Sequence, residues 1–469
     1  MPETTVQKNN IVLSDYNFQR DIENRLLMAE LSIFDVDVLR EILDSSLKIP
    51  IKQLAIHFNT SEKKLIPTLD KLARVKLLQH SGGAITVDKE MRKYYESQIL
   101  KFDDDFRPDM EFLQGLFTKV PIHVLPKWYA ISHGSTNIYS SIITTFFGSP
   151  KIYESYLSHL TFHDPALEGI MKDVFESDDC KVHAPELMKK YRLTRAKFEE
   201  HMLFLEYSLV CCLSYNRVGD VWEEVVTPFQ EWRDFLRFQH KSIPKAIKKT
   251  DAIKCWYPND LGTIENLTTL LKTIQHESIP CKGDNEEVSI ATKDALKILP
   301  ELKNVNVPFD YLKELMIILA GMRLVSIKSN KLQASATAKE WLSQNLHDKQ
   351  LSVYRYCMHR LRDNTQGYTQ KDIHEVERSL KRVAHLGWID FEEFMEGFIA
   401  PIGKNAPISL QNKGKRWFYA LPEYSEQDID FIKNVLTYPL FLSGMIIIGE
   451  RAGKLCFNVT SFGRQAIGL

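Results

Sequence analysis

The stretch LARVKLLQHSGGAITVDKEMRKYY, Leu72 to Tyr95, decides the fold. A helix ends near Arg74 and an apolar strand begins at Leu77-Leu78. Ser81-Gly82-Gly83 can take the positive φ angles of a tight hairpin, and Ala84 to Val87 returns as the second strand. A helix through Tyr94-Tyr95 follows. Upstream, VDVLREILDS (Val36 to Ser45) reads as an amphipathic helix, and IKQLAIHF after Pro50 as a second. Asn59-Thr60-Ser61 offers a turn with N-cap residues, and Glu62 suits the positive end of a third helix. That helix carries Leu65, Leu69 and Leu72 on one face. Pro67 inside it removes a backbone bond and is expected to kink it or cost about 3 kcal/mol.

The helix–strand–turn–strand–helix phrase recurs. It reads FLEYSLVCCLSYNRVGDVWEEVVTPFQEWRDFL from Phe204 to Leu236 and ILAGMRLVSIKSNKLQASATAKEWL from Ile318 to Leu342. A fourth copy, with a longer turn, runs from Val383 to Phe418 and contains AHLGWIDF and ISLQNKGKRWF. A fifth, YPLFLSGMIIIGERAGKLCFNVTSFGRQAI, starts at Tyr438. Three helices followed by a hairpin are the winged-helix arrangement. The expected fold is therefore mainly α with small β-hairpin wings: tandem winged-helix domains with a helical connector. The expected segments are winged helix 1 over 1–104, the connector over 105–164 and winged helix 2 over 165–245. A linker over 246–287, winged helix 3 over 288–365 and winged helices 4 and 5 over 366–469 complete the chain. Unequal intervals argue against a regular solenoid.

The 469 residues exceed one ordinary core. With 60 Lys plus Arg against 61 Asp plus Glu, the net charge is −1, so any nucleic-acid contact must come from a local patch. Seven scattered cysteines without a CxxC pair point to reduced thiols, with no disulfide framework and no structural zinc. The polar start MPETTVQKNN lacks a signal-like apolar core, and no apolar run reaches the roughly 18 residues of a membrane span. A cytoplasmic location without membrane attachment is the expectation. The histidines lack metal-ligand spacing, and neither Ser132-His133-Gly134 nor Gly148-Ser149 has a nucleophile-elbow context. No cofactor, metal, catalytic residue or small-molecule substrate is expected.

In a DNA-reading winged helix the third helix enters the major groove, and outward Lys and Arg supply most of the affinity. Lys64, Lys71 and Arg74 fall near one such stripe in the first unit, with Lys63 beside it and Lys76 following. Lys371, Arg378, Lys381 and Arg382 form one in the fourth, around His374 and interrupted by Glu375 and Glu377. The second unit offsets Arg195 and Lys197 with Glu199, Glu200 and Glu206. The third helix PFDYLKELMIILAG is too apolar, and SEQDIDFIKNVL of the fifth is acidic at its start. Against the DNA reading stands the plain one, in which such lysines are a solvated helix face. Trp341, Trp388 and Trp417 fall at similar phrase positions and read as core anchors of the wings more readily than as a base-stacking platform.

The segments RLVSIKSNKLQASATAKEWL (Arg323 to Leu342), LGWIDF (Leu386 to Phe391), LQNKGKRWF (Leu410 to Phe418) and FNVTSFGRQAIG (Phe457 to Gly468) carry a resemblance. They are similar to the winged-helix repeats in the N-terminal region of XPB-type DNA repair helicases, and more so to bacterial stand-alone proteins with that helicase-associated region. The resemblance implies a tandem winged-helix protein in DNA transactions. The motor is missing from it: no GxxxxGK[ST] phosphate loop occurs, so ATP turnover is not expected. Two functions follow as expectations. One is non-enzymatic binding to DNA, or membership of a DNA-transaction complex, through local basic helices. The other is a protein–protein scaffold whose winged helices touch no nucleic acid.

Overall fold

Helix Ile33–Asp44, strand Lys48–Pro50, helices Ile51–His57 and Glu62–Arg74, and the hairpin Leu78–Ser81/Ala84–Val87 follow one another in the first repeat. The computed structural model describes residues 10–103, 106–132, 137–257, 259–283, 288–364, 367–414 and 416–469. The polar start 1–9, His133-Gly134, the 284–287 end of the expected linker and Lys415 lie outside the described residues. In the first repeat the returning strand is central: it pairs antiparallel with Leu78–Ser81 on one side and Lys48–Pro50 on the other. Gly82 and Gly83 turn the hairpin at φ +59 and +78, which side chains with a Cβ rarely adopt.

The same order recurs three times. The second repeat has helices Pro165–Glu176, Ala184–Lys190 and Arg195–Tyr207, with strand Val182–His183 and the hairpin Cys211–Val218/Val221–Pro228. The third has helices Gly262–His276, Thr292–Ile298 and Tyr311–Gly321, with strand Ile279–Gly283 and the hairpin Val325–Lys328/Lys331–Ala334. The fourth has helices Gln370–Ser379, Phe391–Glu396 and Glu426–Val435, with strand Ile389–Asp390 and the hairpin Ile446–Arg451/Lys454–Val459. In every repeat the short strand between the first two helices pairs with the last strand of the hairpin. The turns expected at Ser81–Gly83, Asn216–Gly219, Ser329-Asn330 and Glu450–Gly453 each join two antiparallel strands behind a helix. The chain is thus mainly helical, with small antiparallel sheets of two to four strands.

Three expectations are corrected. The fourth and fifth phrases are one repeat, because Ile389–Asp390 pairs with Cys456-Phe457 near the C-terminus. The hairpin Ser409–Lys413/Arg416–Ala420 between them pairs only with itself and stands outside that sheet. The supposed linker 246–287 holds helix Gly262–His276 and strand Ile279–Gly283, which open the third repeat, while Lys254-Cys255 pairs with Gly449-Glu450. The connector residues do form helices: Met110–Phe117, Leu125–Tyr129, Ile138–Phe147 and Pro150–His159.

The chain divides into two compact units. The first comprises residues 1–238 together with hairpin Ser409–Ala420, and the second the remainder. One apolar cluster joins the first two repeats through Leu39, Leu69, Leu167 and Met202. A second joins the third and fourth through Leu267, Leu315, Val376 and Ile432. All seven cysteines are free thiols. Trp341 is buried and donates from Nε1 to Ser352 Oγ at 2.8 Å, whereas Trp388 and Trp417 are half-buried. Among the described residues no helix is long and apolar enough to cross a membrane.

Pro67 stays inside helix Glu62–Arg74, which runs on past it without a break. Its ring leaves the Lys63 carbonyl without an intrahelical donor. Pro67→Ala restores that donor and is expected to stabilise the first unit by about 1–2 kcal/mol in urea unfolding, after the lost stiffening of the unfolded chain is allowed for. A destabilised variant would mean that the proline fits its site better than alanine.

Candidate nucleic-acid interface

Helix Glu62–Arg74 buries Leu65, Thr68, Leu69 and Leu72 at helical spacing, which turns Lys63, Lys64 and Arg74 to solvent. Ser61 holds the N-cap position without a side-chain cap bond, and Glu62 lies in the first turn. Lys63 and Lys64 are exposed and, among the described residues, have no ion-pair partner. Lys71 differs. Its Nζ lies 2.7 Å from Asp35 Oδ2, and that carboxylate also accepts from Thr68 Oγ1 at 2.5 Å and from the Ser32 backbone N–H at 2.9 Å. Burial alone would raise the Asp35 pKa, but the bonds from Lys71, Thr68 and Ser32 win and lower it. Lys71 therefore ties the third helix to the capped start of the first. Arg74 reaches Glu30 at 3.3 Å with both groups mostly exposed, a pairing weak enough for a phosphate to displace. The adjoining hairpin tip, Ser81 to Ala84, is small and exposed, so its backbone can come close to a ligand.

The other three third helices are covered or acidic. In Arg195–Tyr207 the carboxylates Glu199 and Glu206, expected on the outer face, are fully buried. Arg25 of helix Phe18–Ala29 takes both, with Nε 2.8 Å from Glu199 and Nη1 2.8 Å from Glu206. Lys101 adds a contact to Glu206 at 3.3 Å, and Arg195 binds Glu199 and Glu224. In Tyr311–Gly321, Glu314 pairs with Arg360 at 2.6 Å, and Tyr356 donates to the Ile317 carbonyl at 3.2 Å. Glu426–Val435 is held by the expected capping box, in which Ser425 Oγ accepts from the Asp428 N–H and Asp428 accepts from the Ser425 N–H. Its solvent face carries Glu426, Gln427 and Asp430, with a single lysine, Lys433, in the last turn.

The second predicted stripe lies on the first helix of the fourth repeat, not on a third helix. Lys371 and Lys381 are exposed. Arg378 pairs with Glu375 at 2.9 Å, and with Lys381 and His374 it borders a small open cavity of about 310 Å³. Arg382 points inward. Its guanidinium donates to the Gly397 carbonyl and, at 3.2 Å, to the Phe394 carbonyl, so it closes the C-terminal end of helix Phe391–Glu396. The reason is a change of pitch: the α-helix ends at Ser379 and Leu380–Arg382 is a tighter turn, which rotates Arg382 off the stripe.

Reading the sequence missed the buried charge cluster of Asp21, Arg25, Lys101, Lys119, Glu199 and Glu206. The available signal was a set of charged residues flanked by apolar ones at core spacing. No protein-family model matches the chain, and neither a curated protein nor a solved structure does.

Proposed function

We propose that this chain is a non-enzymatic tandem winged-helix protein, related in kind to helicase-associated winged-helix regions, that binds duplex DNA through its first repeat, alone or within a DNA-transaction complex. Four copies of the helix–strand–helix–helix–hairpin order support the winged-helix part. One observation carries the DNA part: of the four third helices, only Glu62–Arg74 turns two adjacent lysines outward with no ion-pair partner among the described residues, beside a hairpin with a small tip. Lys63, Lys64 and Arg74 are the phosphate contacts, and Lys71 holds the helix in place. The fourth repeat's Lys371, Arg378 and Lys381 form a subsidiary cationic surface on a helix that would not enter the groove.

The test is fluorescence anisotropy with a short duplex at low and higher salt. Charge reversal of Lys63 and Lys64 together should weaken binding about tenfold and flatten the slope of log K against log salt by roughly 1.8, two phosphate contacts' worth. No duplex binding at low salt, or an unchanged slope in the variant, would overturn the reading.

A protein-binding scaffold is the second reading, and one observation favours it. Ile56 is 72% exposed on the second helix of the same repeat, with Leu47, Phe34 and Ile66 also exposed. Binding that survives Lys63 and Lys64 reversal but is lost with Ile56→Glu would favour that function.

A further inference from the structure

The hairpin Ser409–Lys413/Arg416–Ala420 contributes nothing to the sheet of the repeat that encloses it. It is inserted between that repeat's second and third helices, and it is firmly seated. Tyr419 is buried with its ring 5.7 Å from Phe235, and the Leu410 N–H donates to the Gly148 carbonyl at 2.9 Å. Cross-strand partners share a face, and the register pairs Leu410 with Tyr419 and Asn412 with Trp417. The opposite face therefore carries the pairs Lys413–Arg416 and Gln411–Phe418. Lys413, Arg416 and Gln411 are exposed, and among the described residues neither cation has an ion-pair partner.

We infer that this ribbon is a second DNA-binding element, which lies in the major groove of a duplex with its Gln411/Lys413/Arg416/Phe418 face toward the base edges. A two-stranded ribbon fits the roughly 12 Å width of that groove. The side chains on this face are of the kinds that read it: Arg and Lys suit guanine O6 and N7, Gln suits adenine N6 and N7, and Phe suits the thymine methyl. The two cations at the tip also supply phosphate attraction. An anionic membrane would satisfy the charges equally well, but it makes no use of the outward amide. The ribbon's role presupposes that the chain binds nucleic acid at all.

The experiment uses the full chain, short duplexes of mixed sequence and vesicles of anionic lipid. K413E/R416E is compared with the wild type and with the Lys63 and Lys64 reversal. Both substituted residues are solvent-exposed, and an unchanged circular dichroism spectrum and melting temperature confirm that the fold is retained. The expected result is a roughly tenfold loss of duplex affinity in K413E/R416E, with a salt slope flatter by roughly 1.8. Loss of preference among duplex sequences in Gln411→Ala, with little change in salt slope, is the expected mark of base-edge contact. If the Lys63 and Lys64 reversal weakens binding and K413E/R416E does not, the ribbon proposal is wrong and the first-repeat reading stands. If no duplex binds at low salt, both fall. Vesicle binding lost in K413E/R416E without any effect on duplex binding makes the ribbon a membrane contact and also overturns the proposal.

Discussion

Arg25→Met should lower the stability of the first unit by about 3–5 kcal/mol, the cost of leaving a buried charge uncompensated. Arg25 is buried between two carboxylates that are themselves fully buried, with contacts of 2.8 Å to Glu199 and of 2.8 and 3.1 Å to Glu206. Burial alone would raise the Glu206 pKa, but Arg25 first, then Lys101 and Lys119, outweigh it and bring it down to about 2 from 4.5. A depressed carboxylate contributes stability that is present above the unfolded value and is lost as pH falls through the folded one. The wild type should therefore lose stability progressively from about pH 4.5 toward pH 2, as judged from urea midpoints across that range. In R25M this acid-side dependence should shrink, and R25M/E206Q should recover part of the loss, because the second change removes the stranded charge. A drop below about 1 kcal/mol in R25M would show that the cluster is not what joins helix Phe18–Ala29 to the second repeat.

Glu231 should act in the opposite direction. Burial, as the largest cause, with Asp109 and Asp234 adding to it, raises its carboxyl from 4.5 to about 8, against the lowering effect of backbone N–H groups, including that of Met110. One oxygen accepts from Met110 at 3.0 Å, and Oε2 has no hydrogen-bond partner among the described residues. The nearby Tyr419 phenol of the inserted hairpin is also raised, chiefly by burial and then by Glu231 and Glu154. A raised carboxyl contributes stability that is complete below the unfolded value and is lost as pH rises through the folded one. The first unit should thus weaken between about pH 4.5 and 8. The loss should be on the order of 3–5 kcal/mol, because each tenfold change in proton affinity is worth about 1.4 kcal/mol. Glu231→Gln keeps the shape without the charge. It should flatten the urea-midpoint profile in that window and be the more stable protein above it. Parallel profiles for the two proteins would show that Glu231 is already ionised in the fold.

The hairpins were legible from local chemistry. Gly82-Gly83, Ser329-Asn330 and Ala452-Gly453 all take positive φ at adjacent turn positions, and such pairs announce themselves within four residues. The partner of Ile389–Asp390 was not legible, because a two-residue strand has no periodicity of its own and its mate lies far along the chain. That one pairing turns two expected repeats into one and moves the Lys371 stripe from a third helix to a first. The outward side of Lys63 and Lys64 was readable, because the three leucines Leu65, Leu69 and Leu72 at helical spacing fix which side faces in. Nothing local distinguishes Lys71 from its neighbours, since its bond to Asp35 depends on where another helix begins. Arg25 and Glu206 are separated by 181 positions, so nothing local marks them as partners.

Hairpin Ser409–Ala420 belongs to the first unit, whose other residues end at Phe238. On the ribosome this sets a schedule. At roughly 5–20 residues per second, about 10–35 seconds pass between the emergence of Phe238 and that of the hairpin. Through that interval Phe235 and the Gly148 carbonyl wait without Tyr419 and Leu410. The first unit is then a nascent chain with an unfilled slot, open to chaperones or to the wrong strand. Its completion is coupled to synthesis of the last repeat, so a message broken early yields a first half that cannot close.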